Sequence, residues 1–171
     1  MTLVAWGIVF LLLGALGLTA YAGWRGAPFF PTPMRAVTAA LDLADVGRTD
    51  VVMDIGAGDG RVVQMAAERG ARAIGFELSP FLWVAGALRL LIARSSGRLL
   101  FTDGFRADVS SATVLFLFLT PRTMPSAVDH LVPQLKSGTR ILSYAFPITN
   151  WTPARTAKPP GAATVYLYTV Q

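Results

Sequence analysis

Val51-Val52-Met53-Asp54-Ile55-Gly56-Ala57-Gly58-Asp59-Gly60-Arg61 is the stretch that decides the fold. A short apolar run reaches an acid, Asp54, and passes into a glycine-rich turn; a helical pattern follows from Arg61 to Arg69. This predicts a strand, a tight turn and a helix start. The glycines let the backbone turn sharply and come close to a ligand. The helix start offers unpaired N–H groups to polar ligand atoms. Twenty-three residues after Asp54 comes Glu77, in Ala73-Ile74-Gly75-Phe76-Glu77-Leu78. An acid there, at the end of a second strand, is where a nucleotide-binding βαβ unit keeps its ribose carboxylate.

The glycine spacing separates two kinds of ligand. Gly56, Gly58 and Gly60 form G-x-G-x-G, and Arg61 stands where a dinucleotide fingerprint wants its third glycine. Asp59 inside the turn would repel a pyrophosphate. A cationic ligand without phosphate tolerates it, and S-adenosylmethionine is one: a sulfonium, an amino acid and an adenosine. In this the sequence resembles the class I S-adenosylmethionine-dependent methyltransferases. Their first motif is D-x-G-x-G-x-G, and the acid after their second strand takes the ribose. A purely structural turn is the alternative for a glycine run by itself; Asp54 before it and Glu77 after it weigh against that.

Composition sets further bounds. The 171 residues suit one compact domain and a short appendage. Hydrophobic residues make up 53% and charged residues only 15%, below the usual quarter, which points to membrane contact. Net charge is +5, but the basic residues are scattered Arg apart from Lys136 and Lys158. No basic run interleaved with aromatics occurs, so no nucleic-acid partner is expected. Cysteine is absent, which excludes disulfides, thiolate metal sites and Cys nucleophiles. His130 is the only histidine and lies in a helical stretch, so neither a Ser/His/Asp triad nor a histidine metal site can be assembled.

Thr2 to Trp24 carries no charge over 23 residues. As a helix it would reach ~35 Å, against a hydrocarbon core of ~30 Å. Trp6, Tyr21 and Trp24 lie near its ends, as interfacial anchors do. We read residues 1–24 as a single transmembrane anchor in the lipid bilayer. The rival is a cleaved signal peptide with Ala20-Tyr21-Ala22 as its site. Against it, no Lys or Arg precedes the run, and the run exceeds the usual ~7–15 residues. Arg25 and Arg35 follow, which places the rest of the chain on the cytoplasmic side.

Residues 25–33 contain Gly-Ala-Pro-Phe-Phe-Pro-Thr-Pro and read as a stiff extended connector. Residues 34–171 form one domain. Helical spacing covers Met34–Leu43, Arg61–Arg69, Pro80–Ala93 and Met124–Leu135. Strands are expected at Val51–Ile55, Arg72–Glu77, Leu99–Thr102, Val114–Leu119 and Arg140–Tyr144. Trp151–Ala157 and Ala163–Val170 flank Lys158-Pro159-Pro160-Gly161 as a closing hairpin. The fold class is therefore α/β: a doubly wound, mostly parallel Rossmann-like sheet with a C-terminal antiparallel hairpin, preceded by one transmembrane helix. Pro80–Ala93 is apolar beyond the one stripe that sheet packing needs. Its surplus either lies against the bilayer, with Arg89 and Arg94 reaching phosphates, or is simply core.

A narrower resemblance rests on Phe29-Phe30-Pro31-Thr32-Pro33, Asp54-Ile55-Gly56-Ala57-Gly58-Asp59-Gly60-Arg61, Gly75-Phe76-Glu77-Leu78, Leu117-Phe118-Leu119-Thr120-Pro121, Leu135-Lys136-Ser137-Gly138-Thr139-Arg140 and Ser143-Tyr144-Ala145-Phe146-Pro147 with Trp151. Over about residues 28–170 the chain resembles the family of the ATP synthase c-subunit lysine methyltransferase and its prokaryotic protein-lysine methyltransferase relatives. It departs mildly at Ala57 and Ser79, where Ser and Asn are commoner.

The resemblance implies S-adenosyl-L-methionine as cofactor and a lysine on a protein, plausibly a membrane protein, as acceptor. A methyltransferase acting on a lipid, quinone or other small molecule, and a non-catalytic membrane-tethered cofactor-binding protein, stay open beside it. Site roles follow by position. Asp54, Gly56, Gly58 and Gly60 hold the methionine part, with Asp59 of the same turn a further cofactor-binding residue; Glu77 takes the ribose hydroxyls and Leu78 packs on the adenosine. Asp103 or its competitor Asp108 meets the adenine amine. Thr32 covers the cofactor from the connector. Thr120 stands where the acceptor approaches, and Tyr144, Phe146 and Trp151 line a lysine channel or belong to the core. No metal is needed.

Overall fold

A computed structural model describes residues 3–25 and 30–171. Met1, Thr2 and residues 26–29, which make up much of the expected connector, lie outside them, as do the side chains of Trp24 and Arg25 on which the interfacial and topological readings lean.

The apolar runs become a seven-stranded sheet. Its strands are β1 (Val51–Ile55), β2 (Arg72–Glu77), β3 (Arg98–Phe101), β4 (Val114–Leu117), β5 (Arg140–Tyr144), β6 (Arg155–Ala157) and β7 (Val165–Thr169). The order is β3-β2-β1-β4-β5-β7-β6. The first five are mutually parallel, and β7 runs antiparallel to both β5 and β6. The central strands β1, β4 and β5 are buried along almost their whole length, which explains why they read as continuous apolar runs rather than as alternations.

Helices α1 (Leu3–Arg25), α2 (Met34–Leu43), α3 (Arg61–Glu68), α4 (Pro80–Ile92) and α5 (Met124–Leu131) surround the sheet. One core packs α2, α3 and Leu90 of α4 on the sheet through Val52, Val114, Phe116 and Leu142. The other packs α5 and the loop through Ala107 and Val109 on the opposite face, against Met53, Ile55, Leu115 and Ile141.

Several expected boundaries shift. The fourth strand stops at Leu117 rather than Leu119, and the third spans Arg98–Phe101 rather than Leu99–Thr102. The helix expected to reach Leu135 ends at Leu131 and tightens into a 3-10 turn, Val132–Gln134, because Pro133 has no N–H to continue the ladder. The first hairpin arm shrinks to Arg155–Ala157. Between β3 and β4 there is a 3-10 turn, Gly104–Arg106, in place of the helix that would complete the alternation.

Helix α1 is long and apolar enough to cross a membrane by length and composition, a test that an N-terminal signal sequence also passes. Nothing in its window Val4–Tyr21 is buried. It packs against α4. Thr19 Oγ1 donates to Ala15 O at 2.9 Å and lies 3.0 Å from Ser79 Oγ. With the Thr19 proton committed to Ala15, Ser79 is the donor between the two hydroxyls.

Candidate active site

The strand order reverses between β1 and β4, and the carboxyl ends of β1, β2, β4 and β5 converge around a cavity of about 510 Å³. Such a switch point is where ligands of doubly wound sheets bind, and the volume lies within the ~300–1,000 Å³ of ligand sites.

The floor is the loop after β1. Gly56, Gly58 and Gly60 adopt φ of +77°, +56° and +75°. Only glycine holds these values without strain. Gly56 and Ala57 donate their N–H groups to Phe76 O, each at 3.0 Å; Gly58 donates to Glu77 Oε2 at 2.8 Å, and Gly60 donates to Ala57 O at 2.9 Å. These N–H groups are satisfied within the fold rather than offered to a phosphate. The loop is thus built differently from a pyrophosphate cradle, in agreement with the glycine spacing.

Glu77 is buried at the end of β2. Its Oε1 accepts from Ser79 N–H at 2.7 Å while Oε2 holds Gly58. Each carboxylate oxygen has a second lone pair, so the carboxylate can hold the loop and still accept from ligand hydroxyls. Asp54 is buried on β1 beside it. Burial pushes the Asp54 carboxyl up to about 8, and the charges of Glu77 and Asp59 push the same way.

Asp59 lines the cavity, but its carboxylate is clamped. Arg61 grips it through Nε at 2.8 Å and Nη2 at 2.6 Å, and Arg89 of α4 adds a contact at 2.7 Å. Burial works against the charge, and the two guanidiniums outweigh it and hold the carboxyl below its usual range. Arg61 also donates to Thr32 O at 2.8 Å and so ties the loop to the connector. The sequence reading missed this pair of arginines. One of its two readings of α4 has Arg89 reaching lipid phosphates, whereas the structure turns it inward onto Asp59.

Of the expected cofactor residues, Thr32, Asp54, Gly56, Gly58, Asp59, Glu77, Leu78 and Asp103 all line the cavity. Gly60 does not; it caps α3 and packs against Leu99 and Gly86. Asp103 accepts from Phe105 N–H at 3.0 Å at the cavity edge, whereas exposed Asp108 turns to Ser110 N–H and lies outside the lining. Of the two competitors, only Asp103 lies on the cavity.

The acceptor side is split. Thr120 and Phe146 line the cavity, and Thr120 Oγ1 lies 3.0 Å from Thr123 Oγ1. Tyr144 and Trp151 do not line it. Tyr144 points to the core on the α2 face, edge-on to Phe118 at 4.8 Å, with its hydroxyl accepting from Ala163 N–H at 3.2 Å. Trp151 packs edge-on against Tyr168 at 6.0 Å on the far face. For these two the core alternative holds. The reason is the turn after β5: Ala145 takes φ +69°, which carries Phe146 into the cavity and leaves Tyr144 on the sheet. Thr19 of α1, Phe118 and Leu119 complete the wall.

His130 is exposed on α5, with Nδ1 2.7 Å from Ser126 O. Among the described residues no cluster of His, Cys, Asp or Glu could hold a metal ion.

The donor set fits S-adenosylmethionine. Asp54 shares the floor with two further carboxylates, and a cation brought beside it favours its ionised form. Glu77 retains acceptor capacity for ribose hydroxyls, and Leu78, Phe105 and Leu82 supply apolar wall.

The model of the ANTKMT methyltransferase domain matches residues 54–155. A protein-lysine N-methyltransferase of Saccharolobus islandicus is 33% identical over 150 residues, covering 84% of this chain and 93% of its own. The ATP synthase c-subunit lysine N-methyltransferase of Mus musculus is 30% identical over 186 residues, covering 96% of this chain and 71% of its own. The crystal structure of an RNA methyltransferase from Salinibacter ruber, in complex with S-adenosyl-L-homocysteine, superposes with a TM-score of 0.79 at 39% identity, covering 82% of this chain and 94% of that one.

Proposed function

The chain belongs to the ANTKMT methyltransferase family, whose members use S-adenosylmethionine, and on that premise we propose that it methylates a lysine side chain of a membrane protein while held in the bilayer by α1. The observation that carries the reading is the place of Thr19. It sits near the end of the apolar window Val4–Tyr21 and is at the same time part of the cavity wall. A helix that spans the bilayer therefore brings the cavity to the head-group layer. Arg25 and Arg35 after the span support a cytoplasmic side for the domain.

When bound, the cofactor supplies an electrophilic methyl on a sulfonium with a neutral leaving group. The protein's part is then positioning and exclusion of water. Asp54 would hold the cationic amino-acid end, Glu77 the ribose hydroxyls and Asp103 the adenine edge. A lysine must arrive neutral, although its free pKa is ~10.4. Phe118, Leu119 and Phe146 make an apolar approach that disfavours the ammonium form. Thr120 offers an oxygen that steers the amine at the carboxyl edge of β4.

One resemblance favours a second acceptor, since the Salinibacter relative is described as an RNA methyltransferase. The sequence pattern weighs against RNA here, because the basic residues are scattered and no basic run interleaved with aromatics occurs.

The test is incubation of the purified full chain and a methyl-labelled donor with membranes, a lipid extract and RNA from the same cells. Label on lysine in a membrane-protein band, confirmed by mass spectrometry, is expected. Label confined to the lipid extract or to RNA overturns the acceptor while leaving the enzyme class in place.

A further inference from the structure

Helix α4 carries apolar residues on two sides. Its inner side buries Gly86 and Leu90 against the sheet and the glycine loop. Its outer side shows Phe81, Val84, Leu88, Leu91 and Ile92, which are 47%, 49%, 52%, 73% and 81% exposed. Their spacing of three and four residues makes one stripe along the whole helix. Phe101 on edge strand β3, whose ring stands 5.9 Å from that of Trp83 on α4, is about half exposed as well. A monomeric soluble domain rarely leaves such a continuous patch uncovered.

Two observations name the occupant. First, Ser79 caps α4 and touches Thr19, two residues inside the end of the window Val4–Tyr21. At 1.5 Å per residue this puts the start of α4 within ~3 Å of the hydrocarbon border once α1 spans a bilayer. Second, residues 79–102 contain no Asp or Glu, and Arg94 and Arg98 close the patch with exposed cations. Arg89, in the same stretch, is held on Asp59. Among the described residues, the charges of 79–102 that stand outside an ion pair are thus positive and match anionic head groups.

We propose that the outer stripe of α4 is a second membrane contact, lying in the head-group layer of an anionic bilayer and fixing the tilt of the catalytic domain over it. An amphipathic face of this kind sinks ~5–10 Å into the boundary between head groups and acyl chains. A single helix leaves a domain free to swivel; two contacts define a plane and hold the cavity mouth toward the membrane. The inference rests on the reading of α1 as a span, and the experiment separates the two.

The native chain has no cysteine, so single cysteines report cleanly. Leu88→Cys and Leu91→Cys are each labelled with an environment-sensitive fluorophore in the full chain and reconstituted into phosphatidylcholine–phosphatidylglycerol vesicles. Leu12→Cys on α1 and Ser126→Cys on α5, across the sheet, are the controls. All four positions are exposed, and retained S-adenosylhomocysteine binding verifies the fold. Shallow nitroxide lipids should quench positions 88 and 91 strongly and position 126 at baseline, deep nitroxide lipids should quench position 12 at the middle of the span, and Arg94→Glu with Arg98→Glu should weaken the quenching at 88 and 91. Quenching at position 12 with baseline values at 88 and 91 overturns the proposal and leaves the anchor standing. Baseline values at 12, 88 and 91 together overturn both. A blue-shifted but unquenched label at 91, with crosslinking between chains, overturns it in favour of a second copy on the stripe.

Discussion

Asp54 is the residue on which the chemistry of the cavity turns. Its carboxyl titrates near 8 in the folded protein against an ordinary value of 3.8. The folded state therefore holds a proton that the unfolded chain has released across that window. Stability from this group is fully present below about 4 and is lost as pH rises toward 8, with a slope of up to ~1.4 kcal/mol per pH unit. Asp54→Asn keeps the shape and removes the titration. The variant should melt at a higher temperature than the native protein at pH 8, with the difference vanishing near pH 4. Its affinity for S-adenosylmethionine should fall by at least about tenfold, in line with a lost charge-assisted contact of ~1.5–3 kcal/mol. Calorimetric melts across pH and titration with the ligand read both; a native-like pH slope in the variant would show that Asp54 is not the titrating group. The places of Asp54 and Glu77 in the cavity were legible in the sequence because strand ends and spacing set them. The clamp on Asp59 was not, because Arg89 is distant in the chain and only the packing of α4 on the loop brings it there. Tyr144 and Trp151 could not be assigned for a similar reason. A sequence places an aromatic near a strand end, but the turn at Ala145 decides which ring enters the cavity.

Helix α4 is held against the glycine loop by an absence of side chain. A Cβ on Gly86 would come 2.4 Å from Leu99 Cδ1, 3.1 Å from the Asp59 carbonyl carbon and 3.2 Å from Gly58 O. The Leu99 tip can move, but the two backbone atoms belong to the floor of the cavity. Gly86→Val gains a few tenths of a kcal/mol in helix propensity and loses ~1–3 kcal/mol to overpacking, so the loss wins. The melting temperature should drop, and S-adenosylhomocysteine binding should weaken because the displaced atoms are the loop itself. Leu88→Ala on the outer stripe, where nothing in the domain is packed so closely, is the comparison and should leave ligand affinity unchanged. Equal effects of the two variants on affinity would mean that α4 does not set the loop. The pattern of apolar residues announced a helix here, and their excess left two readings open, a face against the bilayer or simple core. What the sequence could not supply is which side each residue takes, since an almost wholly apolar helix carries little polar marking of its faces.

At the scale of the whole molecule, the proposed reading of α1 as a span makes the cofactor site and the membrane meet at one residue, Thr19, and on that reading it fixes where an acceptor can lie. The linker between helix and domain, residues 25–33, spans at most ~30 Å even when fully extended, and the contact of Thr19 with Ser79 shortens the reach further. An acceptor lysine on a short loop or helix end of an integral membrane protein, at head-group depth, is therefore presented to the cavity at high effective concentration. Tethering of this kind raises apparent affinity by ~10²–10⁴ without a new contact. Removal of residues 1–24 should accordingly reduce methylation of a membrane-embedded acceptor by ~10²-fold or more. A soluble peptide carrying the same lysine should lose far less. The deletion also takes away Thr19 from the cavity wall, so Thr19→Ala in the full chain serves as the control for that contact alone. Thr19→Ala should cost a small fraction of the deletion's effect on the membrane acceptor, and the two variants should act alike on the peptide. Quantitative mass spectrometry of lysine methylation in reconstituted vesicles measures all four rates. If the deletion slows peptide and membrane acceptor equally, helix α1 serves the cavity rather than the encounter, and the proximity argument falls.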